Sequence, residues 1–258
     1  NRGITDITVS GGEPTLHPHL ADIISYMQNR GVTVTILSNG ERFSDETFRV
    51  EFLKKVDHKN LKVITTIHSH IPSEHEKANC TPGSFYKTVS GLQSIIAAGV
   101  RVIIKHCITQ ANYRDLPLFL PFIKNTFRDT TEVQFCSIDY CGIPASEMEK
   151  QKLTFPDIRP YLEKTFDYYE QTKCSNPLYC INMPLCSCDP YYWKYLPKKI
   201  NKMYENYSDP SLSTVVSGHN NVDISDDYCA ICKVKEICAG TYVTAFQYFG
   251  SDMVHPLK

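Results

Sequence analysis

Two adjacent glycines and a carboxylate, Gly11, Gly12 and Glu13, are the residues best suited to binding a small molecule. The strand-like apolar run 4–9 precedes them, and apolar positions with the spacing of an amphipathic helix follow over residues 20–27. Glycine carries no Cβ, so the backbone can approach a ligand closely there. A carboxylate at the carboxyl end of a strand suits an amino group better than a phosphate. The pattern alone predicts a ligand-binding turn, with an ordinary strand-to-helix turn as the alternative.

Cysteines near the end of the chain form a second group that could do chemistry. Cys229 and Cys232 make a Cys-x-x-Cys pair, and Cys238 follows six residues later. Such a pair can bind one metal, and the third thiol can reach the same centre. A fourth ligand must then come from elsewhere, and Cys186 is the best candidate. Four thiolates hold either zinc or an iron–sulfur cluster, so the spacing leaves both open, together with thiols that bind no metal.

Composition narrows the class of protein. The chain has 258 residues and is 42% hydrophobic, which is enough for one large or two modest domains with a sizeable core. A net charge of −1 gives no electrostatic basis for binding nucleic acid or an anionic membrane. The sequence has neither an apolar run long enough for a bilayer nor a signal peptide at its start, so we expect a reducing cytoplasmic location. There, eleven cysteines favour metal ligands over disulfides.

Strand and helix patterns alternate along the first part of the chain, which is typical of βαβ units and a parallel sheet. Further strands are predicted over residues 32–37, 61–67, 100–108, 131–138 and 176–183. Helices are predicted over residues 20–27, 84–99, 116–127 and 157–173, and after Ser44 through Leu53, with Ser44 and Ser84 as N-caps. From about residue 145 the periodicity weakens. We therefore predict a parallel α/β domain over 1–145 and a loop-rich cysteine module over 146–258.

The segment 10–18, Ser-Gly-Gly-Glu-Pro-Thr-Leu-His-Pro after a strand, resembles the Gly-Gly-Glu motif of radical S-adenosylmethionine (radical SAM) enzymes. The resemblance implies an α/β fold of the partial (β/α)6, TIM-like barrel type. It also implies that Gly11, Gly12 and Glu13 contact the amino group of the methionine moiety of the cosubstrate.

Three polar residues on later strands are further candidates for the cosubstrate site. In related enzymes, hydroxyl groups near strand ends hold the cosubstrate's carboxylate, which implies Ser38 and Thr66 in this sequence. Lys105 lies within an apolar strand, where a buried charge is costly unless it is paired or faces the barrel lumen. We therefore keep Lys105 as a candidate for binding that carboxylate or the substrate.

The cysteine-rich end of the chain also has a family likeness. Cys-x-x-Cys-x5-Cys-x-Gly, from Cys229 to Gly240, is similar to the auxiliary-cluster segment of radical SAM peptide maturases, the SPASM and related domains. The blocks 68–75, 181–186 and 191–202 resemble, more narrowly, the His-Xaa-Ser system radical SAM maturases. The likeness implies an auxiliary [4Fe–4S] cluster on Cys186, Cys229, Cys232 and Cys238.

The function that the resemblance implies is reductive cleavage of S-adenosylmethionine to a 5′-deoxyadenosyl radical, which modifies a peptide or protein. An electron donor such as a flavodoxin or ferredoxin is implied with it. The family's Cys-x3-Cys-x2-Cys loop, which holds the catalytic [4Fe–4S] cluster, does not occur in this sequence. We expect that cluster only with a preceding segment, and the sequence assigns no catalytic residue. The alternatives are an inactive radical SAM-like binding subunit and a zinc-stapled α/β binding protein.

Overall fold

The computed structural model describes most of the chain and places its regular elements in an α/β arrangement. None of the helices in this part is both long and apolar enough to cross a membrane. The described residues are 4–129, 131–197, 203–206, 214–217, 222–225 and 227–257.

Six strands form one sheet in which each strand lies beside its neighbours in chain order, β1 to β6. The pairs β1–β2, β2–β3 and β3–β4 are parallel. The ends of all six strands lie within two residues of the predicted ones, so the predicted parallel α/β sheet is confirmed. The strands are Asp6–Val9 (β1), Thr33–Leu37 (β2), Leu61–Thr66 (β3), Arg101–Cys107 (β4), Glu132–Cys136 (β5) and Leu178–Ile181 (β6).

The helices between and after these strands include the five predicted ones and three short ones that the sequence patterns do not predict. The short helices α3, α6 and α8 have only seven or eight residues, too few for a clear apolar stripe. The helices are Leu20–Gln28 (α1), Glu46–Lys55 (α2), Pro72–Asn79 (α3), Ser84–Ala97 (α4), Leu116–Thr126 (α5), Ala145–Gln151 (α6), Phe155–Gln171 (α7) and Val243–Phe249 (α8).

Two predicted N-caps are wrong by one residue. Asp45, not Ser44, caps α2, because its carboxylate accepts the Phe48 backbone N–H at 3.2 Å. Gly83 precedes α4 with a φ of 77°, a left-handed conformation that glycine adopts without strain, and Ser84 is already the first helical residue. In the first case the neighbouring residue makes the capping hydrogen bond, and in the second it adopts the backbone conformation that precedes the helix.

Four short strands lie in the region where the sequence predicted little regular structure. They form two antiparallel pairs, Met203–Asn206 (β7) with Thr214–Ser217 (β8), and Val222–Asp223 (β9) with Thr241–Tyr242 (β10).

The strands β2, β3 and β4 have one buried face and one half-exposed face. Residues paired across neighbouring parallel strands share a face, and Thr66 of β3 pairs with Lys105 of β4. Both side chains are half-buried, as is Thr35 of β2. This face also carries the apolar residues Leu37, Ile64 and Ile103. Parallel sheets are usually covered by apolar residues on both faces, so the three polar side chains make this half-exposed face the better candidate for binding a ligand. The opposite face is buried and carries Val34, Ile36, Leu61, Val63, Val102 and Ile104.

The chain divides into two compact units. The first comprises Asn1–His106, Leu118–Gln134 and Cys174–Leu178, and the second comprises Cys107–Pro117, Phe135–Lys173 and Tyr179–Lys258. This division follows spatial contacts rather than sequence order. The domain boundary near residue 145 therefore stays a prediction.

Candidate functional site

Glu13 lies after β1 and caps a short 3₁₀ helix, Pro14–Leu16. Its Oε1 accepts a hydrogen bond from the Thr15 backbone N–H at 3.0 Å and another from the Thr15 hydroxyl at 2.7 Å. Pro14 occupies the first helical position, where its missing N–H costs nothing and its fixed φ favours the turn. The local sequence Glu-Pro-Thr therefore fixes the carboxylate relative to the backbone.

The loop after β2 supplies two more donors to the same carboxylate. The Ser38 hydroxyl donates to Glu13 Oε1 at 2.8 Å, and the Asn39 backbone N–H donates to Oε2 at 2.7 Å. The two loops meet because β1 and β2 are parallel neighbours whose carboxyl-terminal residues pair, with Val9 opposite Ile36. Glu13 thus joins the carboxyl ends of the first two strands.

The pattern of donors leaves one side of the Glu13 carboxylate available. Among the described residues, Oε1 receives three donors and Oε2 receives one. Each carboxylate oxygen has two lone-pair sites, so the three donors crowd both sites of Oε1, while Oε2 retains a free acceptor position. A cation such as a primary ammonium group would form a short, charge-assisted hydrogen bond there.

Gly11 and Gly12 leave open space next to Glu13. A Cβ placed on either glycine meets no atom within 4 Å, and neither residue has a positive φ. The fold itself therefore does not require glycine at these positions. Gly240 is different, because a Cβ there would lie 2.1 Å from the Asp223 carbonyl oxygen. The space beside Gly11 and Gly12 is what close approach of a ligand to the backbone requires.

Thr66 and Lys105 form the second pair of predicted site residues that the structure brings together. They lie opposite each other on the half-exposed face of β3 and β4, and the Ile67 backbone N–H donates to the Lys105 carbonyl at 2.9 Å. A hydroxyl and an ammonium group on one face are both donors, so the pair could hold a carboxylate.

Sequence reasoning missed two contributors to the Glu13 site. Thr15 donates twice to the carboxylate, and Arg42 donates from its Nη1 to the Thr15 carbonyl while its guanidinium lies 4.2 Å from the Phe48 ring centre. The signal for Thr15 was present in the sequence, since an acidic residue before proline is typical of a helix N-cap. Arg42 gave no such signal, because its contact depends on the path of the loop after β2.

The four predicted metal ligands line one cavity in the second unit. Cys186 comes from the 3₁₀ helix Leu185–Ser187, and the other three come from the turns between β9 and β10. The cavity wall is otherwise largely apolar. Its residues include Cys186, Cys229, Cys232 and Cys238 together with Pro184, Ile224, Val234, Phe246, Val254 and Pro256.

Backbone N–H groups point at two of the four sulfur atoms. The Cys238 Sγ accepts hydrogen bonds from Leu185 N at 3.3 Å and Gly240 N at 3.4 Å. Burial first, and then the neighbouring thiols, raise the pKa of Cys186 to about 12, although a hydrogen bond from the His255 backbone opposes the rise. Donors of this kind stabilise a thiolate, and a bound metal supplies the positive charge that deprotonates buried thiols.

The donor set fits a soft metal centre, although the thiols do not form a closed coordination shell. Over the described residues, no group of three or more His, Cys, Asp or Glu side chains stands in metal-ligand geometry. The four cysteines line one largely apolar cavity, and the sulfur atoms of Cys186 and Cys238 receive backbone N–H donors. All-sulfur ligation suits zinc or an iron–sulfur cluster, so the chemistry of the donors keeps both open.

Comparison with known proteins gives two curated relatives, while no family model matches the chain. The Fe-coproporphyrin III synthase of Methanosarcina barkeri is 25% identical over 169 residues, which are 64% of this chain and 40% of the relative. A tungsten-containing aldehyde ferredoxin oxidoreductase cofactor-modifying protein of Pyrococcus furiosus is 25% identical over 116 residues, 44% of this chain and 33% of that protein. The similarity thus spans less than half the length of these relatives.

Solved structures show the same fold. SuiB of Streptococcus suis, bound to the precursor peptide SuiA, has a TM-score of 0.54 at 15% identity, covering 68% of this chain and 38% of SuiB. The structure of anSMEcpe with bound AdoMet has a TM-score of 0.53 at 14% identity, covering 98% of this chain and 69% of that one. At these identities the likeness concerns the fold, and it confirms the predicted partial barrel.

Proposed function

We propose that this chain is a radical SAM protein, which its similarity to two curated relatives and the fold it shares with solved structures support. We propose also that it binds S-adenosylmethionine through Glu13. We further propose that it belongs to an enzyme that cleaves this cosubstrate reductively. The curated relatives extend well beyond the matched region, so the activity, substrate and partners of the whole protein are part of the proposal.

The observation that carries the proposal is the Glu13 carboxylate, fixed by four donors and left with one acceptor position on Oε2. The methionine end of the cosubstrate carries an ammonium group, which suits that position. Open space beside Gly11 and Gly12 would let the methionine moiety lie against the backbone. Thr66 and Lys105 are the proposed partners of its carboxylate, because both are donors on one face of the sheet.

The proposed reaction is a one-electron reduction followed by hydrogen abstraction. One electron enters the sulfonium group, and the C5′–S bond breaks to give methionine and a 5′-deoxyadenosyl radical. The radical takes a hydrogen atom from a substrate C–H bond, which gives 5′-deoxyadenosine and a substrate radical. A bound catalytic [4Fe–4S] cluster would supply the electron, with a reduced ferredoxin or flavodoxin as its donor. The residues of this chain orient the cosubstrate and exclude water from it.

We propose a peptide or small protein as the substrate and an auxiliary [4Fe–4S] cluster on the four-cysteine cavity. The peptide is supported by the similar fold of SuiB, a protein solved with a precursor peptide. The cluster is supported by the all-sulfur donor set of Cys186, Cys229, Cys232 and Cys238 and by the backbone donors to Cys238. An iron–sulfur site held by cysteine thiolates suits a reducing compartment, so we propose the cytoplasm as the location.

Replacing the Glu13 carboxylate tests the proposal. In the protein expressed from its complete reading frame and loaded with iron and sulfide, Glu13→Gln should weaken S-adenosylmethionine binding by about 1.5–3 kcal/mol, the value of a hydrogen bond to a charged group. Titration calorimetry measures the affinity. Glu51→Gln, an exposed position on α2, is the matched control and should bind as the wild type does. Equal affinities for wild type and Glu13→Gln would remove Glu13 from the site.

A further inference from the structure

The Ser38 hydroxyl can donate one hydrogen bond, and in the structure its acceptor is the Glu13 carboxylate. The Ser38 hydroxyl donates to Glu13 Oε1 at 2.8 Å and accepts the Gly40 backbone N–H at 3.0 Å. A hydroxyl group has a single donor, and this side chain is only 7% exposed. To bind the carboxylate of a cosubstrate, Ser38 would have to abandon Glu13 in a buried environment, which costs a hydrogen bond to a charged group.

Thr15 holds the same oxygen from the other side. Its hydroxyl donates to Glu13 Oε1 at 2.7 Å, its backbone N–H donates at 3.0 Å, and the residue is fully buried at 0% exposure. With Ser38, these donors saturate Oε1. The free acceptor position therefore lies on Oε2, and its direction is fixed by the groups that hold Oε1.

The loop that carries Ser38 is itself fixed by α4. The Thr88 hydroxyl donates to the Asn39 carbonyl at 3.0 Å, which ties α4 to the loop whose Asn39 N–H donates to Glu13 Oε2. Gly91 lets α4 approach this loop, because a Cβ there would lie 2.4 Å from the Gly40 carbonyl oxygen. β2, the loop after it and α4 therefore together position the Glu13 carboxylate.

We infer that Ser38 and Thr15 are positioning residues that direct Glu13 toward the ammonium group of the ligand. Ser38 then does not contact the ligand's carboxylate, unlike the role that the family resemblance implied for it. This inference rests on the proposed function and assigns a different role to one residue of the same site. The carboxylate of the ligand is left to Thr66 and Lys105.

Decarboxylated S-adenosylmethionine separates the two roles of Ser38, because it keeps the ammonium group and lacks the carboxylate. In the iron- and sulfide-loaded protein from the complete reading frame, Ser38→Ala should weaken binding of S-adenosylmethionine and of the decarboxylated compound by the same factor, about tenfold. On a Glu13→Gln background, Ser38→Ala should cause no further loss, since residues that act through one group are not additive. General structural damage would instead persist on that background and overturn the inference.

Two further variants test whether the effect is specific to the hydroxyl groups that donate to Glu13. Thr15→Val preserves the shape of the side chain without its hydroxyl, and it should follow the pattern of Ser38→Ala. Ser44→Ala removes a hydroxyl that donates to the Glu41 carbonyl and should leave both affinities unchanged. Loss of S-adenosylmethionine binding in Ser38→Ala with wild-type affinity for the decarboxylated compound would place Ser38 on the carboxylate and overturn the inference. Failure of the wild type to bind either compound would overturn the proposed function itself.

Discussion

Glu13 contributes to the local structure, whereas Gly11 and Gly12 are explained only by the binding of a ligand. The carboxylate makes four hydrogen bonds within its own unit, so it contributes to the local structure with or without a ligand. Gly11 and Gly12 have neither a positive φ nor a close neighbour that a Cβ would displace. A role in ligand approach explains glycine at both positions, and packing does not.

Gly12→Ala should therefore change binding without changing stability. We expect the free energy of unfolding to stay within about 0.5 kcal/mol of the wild type, while S-adenosylmethionine affinity falls by about tenfold, equivalent to about 1.4 kcal/mol. Urea unfolding and titration calorimetry measure the two quantities. Gly240→Ala is the contrasting variant and should destabilise by more than about 2 kcal/mol, since it combines a positive φ with a backbone clash. Unchanged affinity in Gly12→Ala would remove this glycine from the site.

At the scale of elements, three segments of the second unit meet at the four-cysteine cavity. They are the 3₁₀ helix with Cys186, the turns from Cys229 to Cys238, and the final segment with Val254 and Pro256. The Lys233 backbone N–H donates to the Leu257 carbonyl at 2.9 Å, which ties the final segment to the turns. Short segments with little core of their own gain folding energy from a shared metal centre.

The cavity should therefore bind iron through its four thiols. Anaerobic reconstitution should add about four irons and four sulfides at this site with visible cluster absorption, and Cys232→Ala should lose this iron and expose the region after residue 185 to proteolysis. Cys141→Ala, at an exposed thiol outside the cavity, should keep its iron. Metal analysis and limited proteolysis provide the readouts. Stoichiometric zinc without iron uptake at the cavity would contradict the auxiliary-cluster proposal.

A second element-scale feature is the attachment of the 3₁₀ helix Pro190–Tyr195 to α7 through Glu170. The Glu170 carboxylate accepts hydrogen bonds from Lys194 at 2.5 Å, Tyr191 at 2.6 Å and Tyr195 at 2.9 Å. These donors, with Lys194 first, lower the pKa of Glu170 to about 2. Because the folded state holds the charged carboxylate, this stabilisation is complete above the ordinary pKa of 4.5 and is lost as pH falls toward 2.

Glu170→Gln should lower the free energy of unfolding by about 1 kcal/mol at pH 7, a modest value because the side chain is 27% exposed and partly screened. At pH 3 the difference from wild type should be much smaller, since the unfolded wild-type chain then takes up the proton. Urea unfolding at the two pH values measures this. Glu147→Gln, in an exposed pair with Lys150 at 3.0 Å, should show little change at either pH. A difference that grows at pH 3 would contradict the assignment.

At the scale of the whole molecule, the sequence predicted regular elements well and contacts poorly. The six sheet strands and five longer helices follow from apolar periodicity, because each must bury one face. The short helix α3, rich in charge, has no comparable pattern. The double role of Ser38 was not predictable, because the partner of a hydroxyl depends on which strand ends become neighbours.

For the cysteines, too, the sequence predicted the local site but not the tertiary contacts. The spacing of Cys229, Cys232 and Cys238 indicates one local site, since all three come from one short stretch. Cys186 reaches the same cavity only through the tertiary path of the chain. The backbone donors from Leu185 and Gly240 to the Cys238 sulfur could not be read from the sequence, because they depend on turn geometry.

Formation of 5′-deoxyadenosine is the measurement that tests the central claim most directly. The protein from its complete reading frame, loaded with iron and sulfide, is incubated anaerobically with S-adenosylmethionine and a strong reductant, and the products are quantified by chromatography. We predict one methionine for each 5′-deoxyadenosine in the wild type, and at least about tenfold less product in Glu13→Gln at low cosubstrate concentration. Binding of S-adenosylmethionine without 5′-deoxyadenosine would contradict the account and identify an inactive radical SAM-like binding subunit.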